Sequence, residues 1–198
     1  MRDKVKIVGE QVLSHNWGRL TRYEIDYRRA DGTSQTLMRE VYDRGNAAVI
    51  LLVDPTRETV VLTRQFRLPV QLGGDDAALV EACAGLLDGM APEACARKEA
   101  EEETGYRVGA VVHLFDSYMS PGSVLEKLSF FMGSYDDTSR ISAGGGLAEE
   151  GEEIEVLELP LSAAIAMVAA GEIVDAKTIM LLQYAALNGV DVLRSALA

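Results

Sequence analysis

Five glutamates lie within one short stretch of the chain, residues 92–105. On a helix, where successive residues are rotated by roughly 100°, Glu99, Glu102 and Glu103 fall on one stripe and Glu101 points to the far face. Carboxylates three and four residues apart on a helix repel one another, so such a stripe needs a counter-charge. Mg²⁺ could supply it, because this ion takes oxygen ligands and is held by carboxylates together with substrate phosphates. The stripe therefore predicts either a magnesium site or the solvated acidic face that is common in acidic proteins.

Residues 98–106, KEAEEETGY, resemble the second half of the Nudix signature, G-x5-E-x7-R-E-U-x-E-E-x-G-U. The matching positions are Glu99, Glu102, Glu103 and Gly105. The resemblance implies a hydrolase that cleaves nucleoside diphosphates linked to another moiety, with Mg²⁺ as the cofactor and Mn²⁺ as a substitute. It favours the metal site over the solvated face.

The match departs from the signature at Lys98 and in the residues before it. Lys98 stands where the signature has Arg, which keeps the positive charge but loses the bidentate fork of a guanidinium. The interval from Gly85 to Lys98 is one residue shorter than in the signature, and no glutamate occupies the loop position that usually pairs with this Arg. Glu93 and Arg97 are expected to replace that tether of the loop.

Segments spread over nearly the whole chain resemble one branch of the Nudix superfamily, the GDP-mannose hydrolases, which are similar to the ADP-ribose pyrophosphatases. These segments are residues 14–17, 39–46, 64–67, 81–88, 118–122, 143–146, 154–160 and 171–178. They are more specific than the signature, which many substrate classes share. Pro121, sixteen residues beyond Gly105, is also typical of the ADP-ribose pyrophosphatase branch.

This resemblance implies roles for individual residues. The implied metal ligands are the Ala84 carbonyl, Glu99, Glu103 and Glu152. The implied catalytic glutamates are Glu152, Glu103, Glu99 and Glu102. The implied substrate contacts are Trp17, Met38, Arg39, Glu40, Arg67, Gly85, Glu126 and Lys177. Tyr and Lys are expected at the first two of these positions, so base stacking is kept here and one side-chain contact is lost.

Some of these residues also stand out by their position in the chain. Arg67 ends a predicted strand beside a glycine-rich loop, which makes it a candidate for binding an anion. Leu79 to Ala84 predicts a short apolar strand in which Glu81 is unusual, and this makes Glu81 a candidate ligand-facing acid. Lys177 opposes the dipole at a helix start, which makes it a candidate for touching a phosphate or sugar. For Arg67 and Lys177 simple solvation is the alternative. Trp17 is either a plug in the core or a stacking surface for a base.

Residues 136–153 form a glycine- and glutamate-rich stretch with few apolar groups. It is either a disordered acidic connector or a lid that brings a carboxylate to the metal site when substrate is bound. The resemblance selects Glu152 as that carboxylate, with Glu149, Glu150 and Glu153 as the next candidates.

Two domains are expected. Residues 1–45 predict an antiparallel sheet with a two-residue turn at Asp31–Gly32. Two or three strands are marginal alone, so this sheet needs a partner, either the rest of the chain or another subunit. The resemblance implies that it is a dimerisation region, in a homodimer with exchanged N-terminal strands in which Trp17 and residues 38–40 serve the partner's site. Residues 46–198 form the expected Nudix catalytic domain. The fold class is α/β (α+β), an α/β/α sandwich with a mixed central sheet plus the N-terminal sheet.

Helices and strands of the catalytic domain are marked by glycine and proline. Pro92 and Gly105 bracket the acidic helix, since proline is tolerated in a first turn and glycine commonly ends a helix. Two more helices are predicted at 161–170 and 176–188, ended by Gly171 and Gly189.

Composition excludes several classes of function. A net charge of −12 argues against binding nucleic acid or an anionic membrane surface. Cys83 and Cys95 fit neither a disulfide scaffold nor a zinc site. The N-terminus lacks an apolar signal core and no run approaches transmembrane length, so a cytoplasmic location is expected.

The predicted activity is Mg²⁺-dependent cleavage of the pyrophosphate of a nucleoside diphosphate sugar, GDP-mannose, to GMP and mannose 1-phosphate. Two alternatives stay open. One is an ADP-ribose or other ADP-sugar pyrophosphatase, which shares the chemistry. The other is a non-catalytic Nudix module that senses a nucleotide sugar, although a pure binder has no need of the repulsive glutamate stripe.

Overall fold

The computed structural model of the chain describes residues 4–193, apart from the side chain of Glu150. Its strands are β1 (Val5–His15), β2 (Arg19–Arg28), β3 (Ser34–Asp43), β4 (Ala47–Asp54), β5 (Thr59–Phe66), β6 (Ala78–Glu81), β7 (Cys83–Leu86), β8 (Val111–Tyr118), β9 (Val124–Leu125), β10 (Lys127–Ser134) and β11 (Ile154–Pro160). Its helices are α1 (Leu68–Gly73), α2 (Pro92–Thr104), α3 (Leu161–Ala170) and α4 (Ala176–Asn188), and one 3₁₀ turn spans Ala148–Glu150. Residues 194–198 of the expected catalytic domain lie outside the described range.

One compact unit comprises Met1–Asn46 together with Tyr118–Lys127. Its sheet has the order β1-β2-β3-β9, in which β2 pairs antiparallel with both neighbours and β3 pairs parallel with the short β9. The strand β1 forms one edge of this sheet and is exposed along almost its whole length. Its apolar side chains are therefore largely in contact with solvent.

The hairpin between β2 and β3 is confirmed in position but not in length. The strands end at Arg28 and resume at Ser34, so the connection is longer than the predicted two residues. Thr33 donates from its N–H and its hydroxyl to the carboxylate of Asp31, at 2.9 and 2.6 Å, and Gly32 has a φ of 85°. The aspartate thus forms a local turn of its own, which lengthens the connection.

The second compact unit comprises Ala47–Ser117 and Leu128–Ala198. Its mixed sheet has the order β11-β5-β4-β10-β8, with β4 and β10 parallel and β5 antiparallel to both β4 and β11. All eight residues of β4 are buried. A central strand covered on both faces is expected to be apolar throughout, as Ala47–Val53 is.

Both faces of β4 are covered by other parts of the fold. Ala48, Ile50 and Leu52 belong to one buried cluster with the small side chains of α2, and α4 also contacts β4. Val49, Leu51 and Val53 alternate with them on the other face and are fully buried. This is the predicted sandwich with a mixed central sheet.

The strands β6 and β7 fill a split between β4 and β5. β5 pairs with β4 near its start and with β6 towards its end, while β4 pairs with β7 through its first half. The chain changes partner at Ala82, whose N–H donates to the hydroxyl of Thr178 at 2.7 Å. A single strand was predicted from Leu79 to Ala84; the structure divides it, because the two halves pair with different neighbours.

Among residues 4–193, no helix has the length and apolar character needed to cross a membrane.

Candidate active site

The acidic helix α2 begins at Pro92 and ends at Thr104, as predicted. Gly105 follows with a φ of 74°, a left-handed conformation that glycine adopts without strain, and its N–H donates to the Glu101 carbonyl. The side chain of Glu103 is directed inward, and the residue is only 4% exposed. The stripe is therefore a partly buried feature, and the alternative of a fully solvated acidic face is wrong.

Burial dominates the electrostatics of the stripe. It raises the pKa of Glu103 to about 8, with further contributions from the Glu99 and Glu152 carboxylates. Burial also raises the pKa of Glu99, and Glu102 and Glu152 add to that effect. Cys83 on β7 is fully buried, and burial followed by the charge of Glu103 raises the pKa of its thiol well above the usual value. These carboxylates thus lie close together, and a nearby positive charge would stabilise their ionised forms.

Lys98 supplies part of that positive charge. Its Nζ lies 2.6 Å from Glu102 Oε2 and 3.4 Å from Glu99 Oε1. The lysine that replaces the signature's arginine therefore pairs with the stripe itself.

Gly85 packs directly against the stripe. A Cβ added at this position would lie 2.2 Å from Glu99 Cδ, so the Glu99 side chain would have to move. Ala84, the residue before it, is paired with Val49 of β4. The absence of a side chain at Gly85 lets the Glu99 side chain pack against β7 at the residue that follows Ala84, whose carbonyl the resemblance assigns to the metal.

The expected tether between Glu93 and Arg97 holds a different part of the chain. The two side chains pair at 2.9 Å, but Arg97 Nη1 also donates to the carbonyls of Val108 and Gly109, at 2.9 and 2.8 Å. Arg97 therefore fastens α2 to the residues that follow it rather than to the loop before it. Cys95 instead contacts the end of β7, where that loop begins, because its thiol lies 3.3 Å from the Leu86 carbonyl.

Glycines 144–146 close the C-terminal end of α2. The N–H groups of Gly145 and Gly146 donate to the carbonyls of Glu103 and Glu102, at 2.8 and 3.3 Å. Gly144 packs on the backbone of Thr104, where a Cβ would lie 2.5 Å from its carbonyl carbon. These bonds satisfy carbonyls that a helix end leaves unpaired. The first part of the predicted lid is thus attached to the helix that carries the stripe.

Glu152 is held by a short turn that follows these glycines. Its carboxylate accepts a hydrogen bond from the Leu147 N–H at 2.9 Å, and its own N–H donates to the Leu147 carbonyl. The charge of Glu152 contributes to the raised pKa of both Glu99 and Glu103. Glu149 and Glu153 are exposed, and the side chain of Glu150 lies outside the described residues.

Arg67 and Lys177, both candidate substrate contacts, meet at a buried carboxylate. Arg67 Nε donates to Glu81 Oε2 at 2.6 Å, and Lys177 Nζ donates to Glu81 Oε1. Lys177 also lies 3.0 Å from Asp175, the residue that caps α4. The unusual acid and the unfavourably placed lysine of the sequence are therefore partners of one another.

The remaining candidates belong to the N-terminal unit. Trp17 is 75% exposed, and the guanidinium carbon of Arg44 lies 4.4 Å from its ring centroid. The alternative of a core plug is wrong, since the ring is an exposed flat surface. Glu126 lies 4.0 Å from Arg44 within the same unit.

Three consecutive candidates lie on β3. The Met38 side chain is exposed, and Arg39 Nη1 donates to the Met38 carbonyl at 2.8 Å. Glu40 forms an ion pair at 2.8 Å with Arg22, its cross-strand neighbour on β2. All three side chains are accessible to solvent, and the contacts of Arg39 and Glu40 are ones that a ligand could replace.

Sequence reasoning missed three residues that support these candidates. Arg44 stacks on Trp17, the buried Cys83 has its pKa raised in part by Glu103, and Thr178 links α4 to Ala82. The sequence offered a signal for Thr178 only: Asp175, three residues before it, is of a type common at helix N-caps. The other two contacts depend on tertiary packing.

The chemistry of the donors fits a hard divalent cation. The available groups are carboxylates and a backbone carbonyl, which are the oxygen ligands such ions prefer. Within residues 4–193, no three acidic, histidine or cysteine side chains are already placed to hold one ion together. Glu99 and Glu103 share a helix, while Glu152 is engaged by the Leu147 N–H. Coordination by all three therefore requires these side chains to move closer together.

Comparison with known proteins agrees with this geometry. Residues 43–182 match the NUDIX domain model, and residues 4–42 match the model for the GDP-mannose pyrophosphatase NudK N-terminal domain. The GDP-mannose pyrophosphatase of Pectobacterium atrosepticum is 53% identical over 190 residues, covering 96% of this chain and 97% of its own. That of Citrobacter koseri is 51% identical over 185 residues, covering 93% and 96%. Since the Nudix model spans most of the chain and carries the glutamate stripe, the chain belongs to the Nudix family of hydrolases.

Proposed function

We propose that this chain hydrolyses the pyrophosphate of GDP-mannose to GMP and mannose 1-phosphate. The observation that carries the proposal is its similarity to proteins named GDP-mannose pyrophosphatase over more than nine-tenths of the chain. The similarity includes the N-terminal unit as well as the glutamate stripe, and the stripe alone would suit many nucleoside diphosphate substrates.

The cation is proposed to be Mg²⁺, with Mn²⁺ as a substitute. Glu99, Glu103, Glu152 and the Ala84 carbonyl would hold it. When bound, such a cation neutralises phosphate oxygens and lowers the pKa of a coordinated water. The burial of Glu103 supports this role, because a buried carboxylate beside two others is stabilised by a nearby cation.

Side chains of the protein are proposed to accept the proton of the attacking water and to bind the negatively charged phosphate oxygens. Glu152, once released from the Leu147 N–H, accepts a proton from the attacking water. The oxygen of that water forms a bond to one phosphorus, and the bridging P–O bond of the pyrophosphate breaks. Arg67 offers a charged donor to the phosphate oxygens, and Lys177 does the same beside it.

The N-terminal unit is proposed to read the base and to form a homodimer by exchange of strands. Trp17 offers an exposed ring for stacking, and residues 38–40 offer polar groups to the substrate of the partner. The exposed Val5, Ile7 and Val12 of β1 support an interface, since large apolar groups on a sheet edge tend to be covered. Ile7→Asp should convert the dimer to a monomer in sedimentation; an unchanged mass would contradict the exchange.

The domain boundary at residues 45 and 46 and a cytoplasmic location complete the proposal. They rest on the change of sheet near this boundary and on the free, buried state of Cys83 and Cys95, which suits a reducing compartment.

The decisive experiment measures hydrolysis of GDP-mannose and of ADP-ribose, each with Mg²⁺ and with EDTA. A phosphatase that acts only on phosphate monoesters releases inorganic phosphate from the products for detection. Metal-dependent preference for GDP-mannose supports the proposal. Preference for ADP-ribose would keep the stripe and its chemistry but reject the substrate, and absence of turnover with either would favour a nucleotide-sugar sensor.

A further inference from the structure

Glu81 is a buried carboxylate that uses both of its oxygens. It ends β6, and its side chain is 5% exposed. Oε2 accepts from Arg67 Nε at 2.6 Å, and Oε1 accepts from Lys177 Nζ. A carboxylate buried to this degree is retained only with such partners, so the three side chains form one unit.

The two cations differ in how much freedom this unit leaves them. Lys177 is held from two sides, because Asp175 lies 3.0 Å from the same Nζ and caps the helix that carries it. Its side chain is 13% exposed. Arg67 is engaged through Nε only; its Nη1 and Nη2 have no hydrogen-bond partner among residues 4–193, and its side chain is 40% exposed. The outer edge of the guanidinium is therefore directed to an accessible surface.

A few residues of chain join the unit to the glutamate stripe. Glu81 ends β6, and Gly85, four residues later on β7, packs against the Glu99 side chain. One short piece of chain, β6 and β7, thus connects the cation pair to the stripe.

We propose that Glu81 is a positioning residue: its carboxylate fixes Arg67 and Lys177 in one arrangement in which they bind the phosphate and sugar portion of the substrate together. Glu81 itself does not touch the substrate. The inference rests on the proposed function for the identity of that substrate. A fixed pair of donors loses less conformational entropy on binding than two free side chains.

Charge and position predict opposite effects of removing this carboxylate. Glu81→Gln makes the cluster more positive, so simple electrostatics predicts tighter binding of a pyrophosphate. Positioning predicts weaker binding, because an amide cannot accept from two cations as a carboxylate does. Glu81→Asp keeps the charge but withdraws the carboxylate by one carbon–carbon bond, ~1.5 Å, so only positioning predicts a loss.

The experiment compares KM and kcat for GDP-mannose in the wild type, Glu81→Gln and Glu81→Asp. We expect KM to rise at least tenfold in both variants while kcat falls less, with the melting temperature recorded for each. Glu155→Gln is the matched control, since it breaks an Arg–Glu pair of the same 2.6 Å length at the exposed Arg64. Its KM should equal that of the wild type. An unchanged or lower KM in Glu81→Gln overturns the inference, and Glu81→Asp decides if Glu81→Gln does not fold.

A binding measurement separates this inference from the proposed function. If the wild type does not hydrolyse GDP-mannose, the proposed function fails. Inorganic pyrophosphate in EDTA then tests Glu81 alone. A pyrophosphate-induced rise in melting temperature that is present in the wild type and lost in both variants supports the inference; equal rises in all three proteins overturn it.

Discussion

Glu103→Gln is expected to remove turnover and, without divalent cations, to stabilise the protein at neutral and alkaline pH. Burial is the main reason why the pKa of Glu103 rises from 4.5 to about 8 in the folded protein. The folded state therefore holds its proton more tightly than the unfolded state does. Stability from this group is complete below pH 4.5 and is lost as the pH rises to about 8.

The size of the effect follows from the same two values. Within this window the free energy of unfolding falls by up to ~1.4 kcal/mol for each pH unit. Between pH 5 and pH 8 the wild type in EDTA should therefore lose about 3 kcal/mol through Glu103 alone. For a chain of this length that loss corresponds to a fall in melting temperature of roughly 6–12 °C. Gln is neutral at every pH and nearly the same shape, so the variant should lack this component.

Urea unfolding followed by circular dichroism at 222 nm measures the pH dependence of stability in each protein. The helices α2, α3 and α4, which give this signal, all lie in the second compact unit with Glu103. Glu101→Gln is the matched control, since Glu101 lies on the same helix outside the stripe. A pH dependence in Glu103→Gln equal to that of the wild type would refute the assigned burial and proximity of the carboxylates. A flattened pH dependence of stability in Glu101→Gln would refute it as well.

Other perturbations test neighbouring contacts. Mg²⁺ should raise the melting temperature of the wild type more at pH 8 than at pH 5, since a cation favours the ionised stripe; an equal rise at both pH values in calorimetry would count against it. Gly85→Ala should cost about 1–3 kcal/mol and most turnover, because its Cβ would displace the Glu99 carboxylate. Gly146 has a φ of 75°, and a Cβ added there would lie 2.5 Å from Glu152 Oε2. Gly146→Ala should therefore lower kcat by displacing the Glu152 carboxylate from its position; an unchanged kcat would exclude a role for the turn. Asp175→Ala should lower the free energy of unfolding by about 1–2 kcal/mol through loss of the α4 cap, and urea unfolding would detect it.

Local sequence rules predicted the elements that depend on local chemistry. Pro92 and Gly105 marked α2, and Gly171 and Gly189 marked the ends of α3 and α4, because helix ends are decided by the residues at them. Ala47 to Val53 is an apolar run of strand length, and the structure has β4 there. These features need no knowledge of distant residues.

The parts that sequence reasoning did not predict depend on distant partners. The division of one predicted strand into β6 and β7 follows from the separation of β4 and β5, which no periodicity reports. Arg97 bonds to two backbone carbonyls, groups that carry no signal in the side-chain sequence. Glu81 and Lys177 were each noted as unusual, but their pairing links positions 96 residues apart.

The attachment of glycines 144–146 to the end of α2 has a consequence for how the protein is made on the ribosome. The helix is synthesised well before these glycines, so its last carbonyls first meet water. Only after residue 146 has left the ribosome can the Glu102 and Glu103 carbonyls find their backbone partners. A nascent chain that stops short of this point carries the whole glutamate stripe with these two carbonyls unpaired and without Glu152. Under the proposed function, the unfinished protein therefore lacks a completed metal site during its own translation.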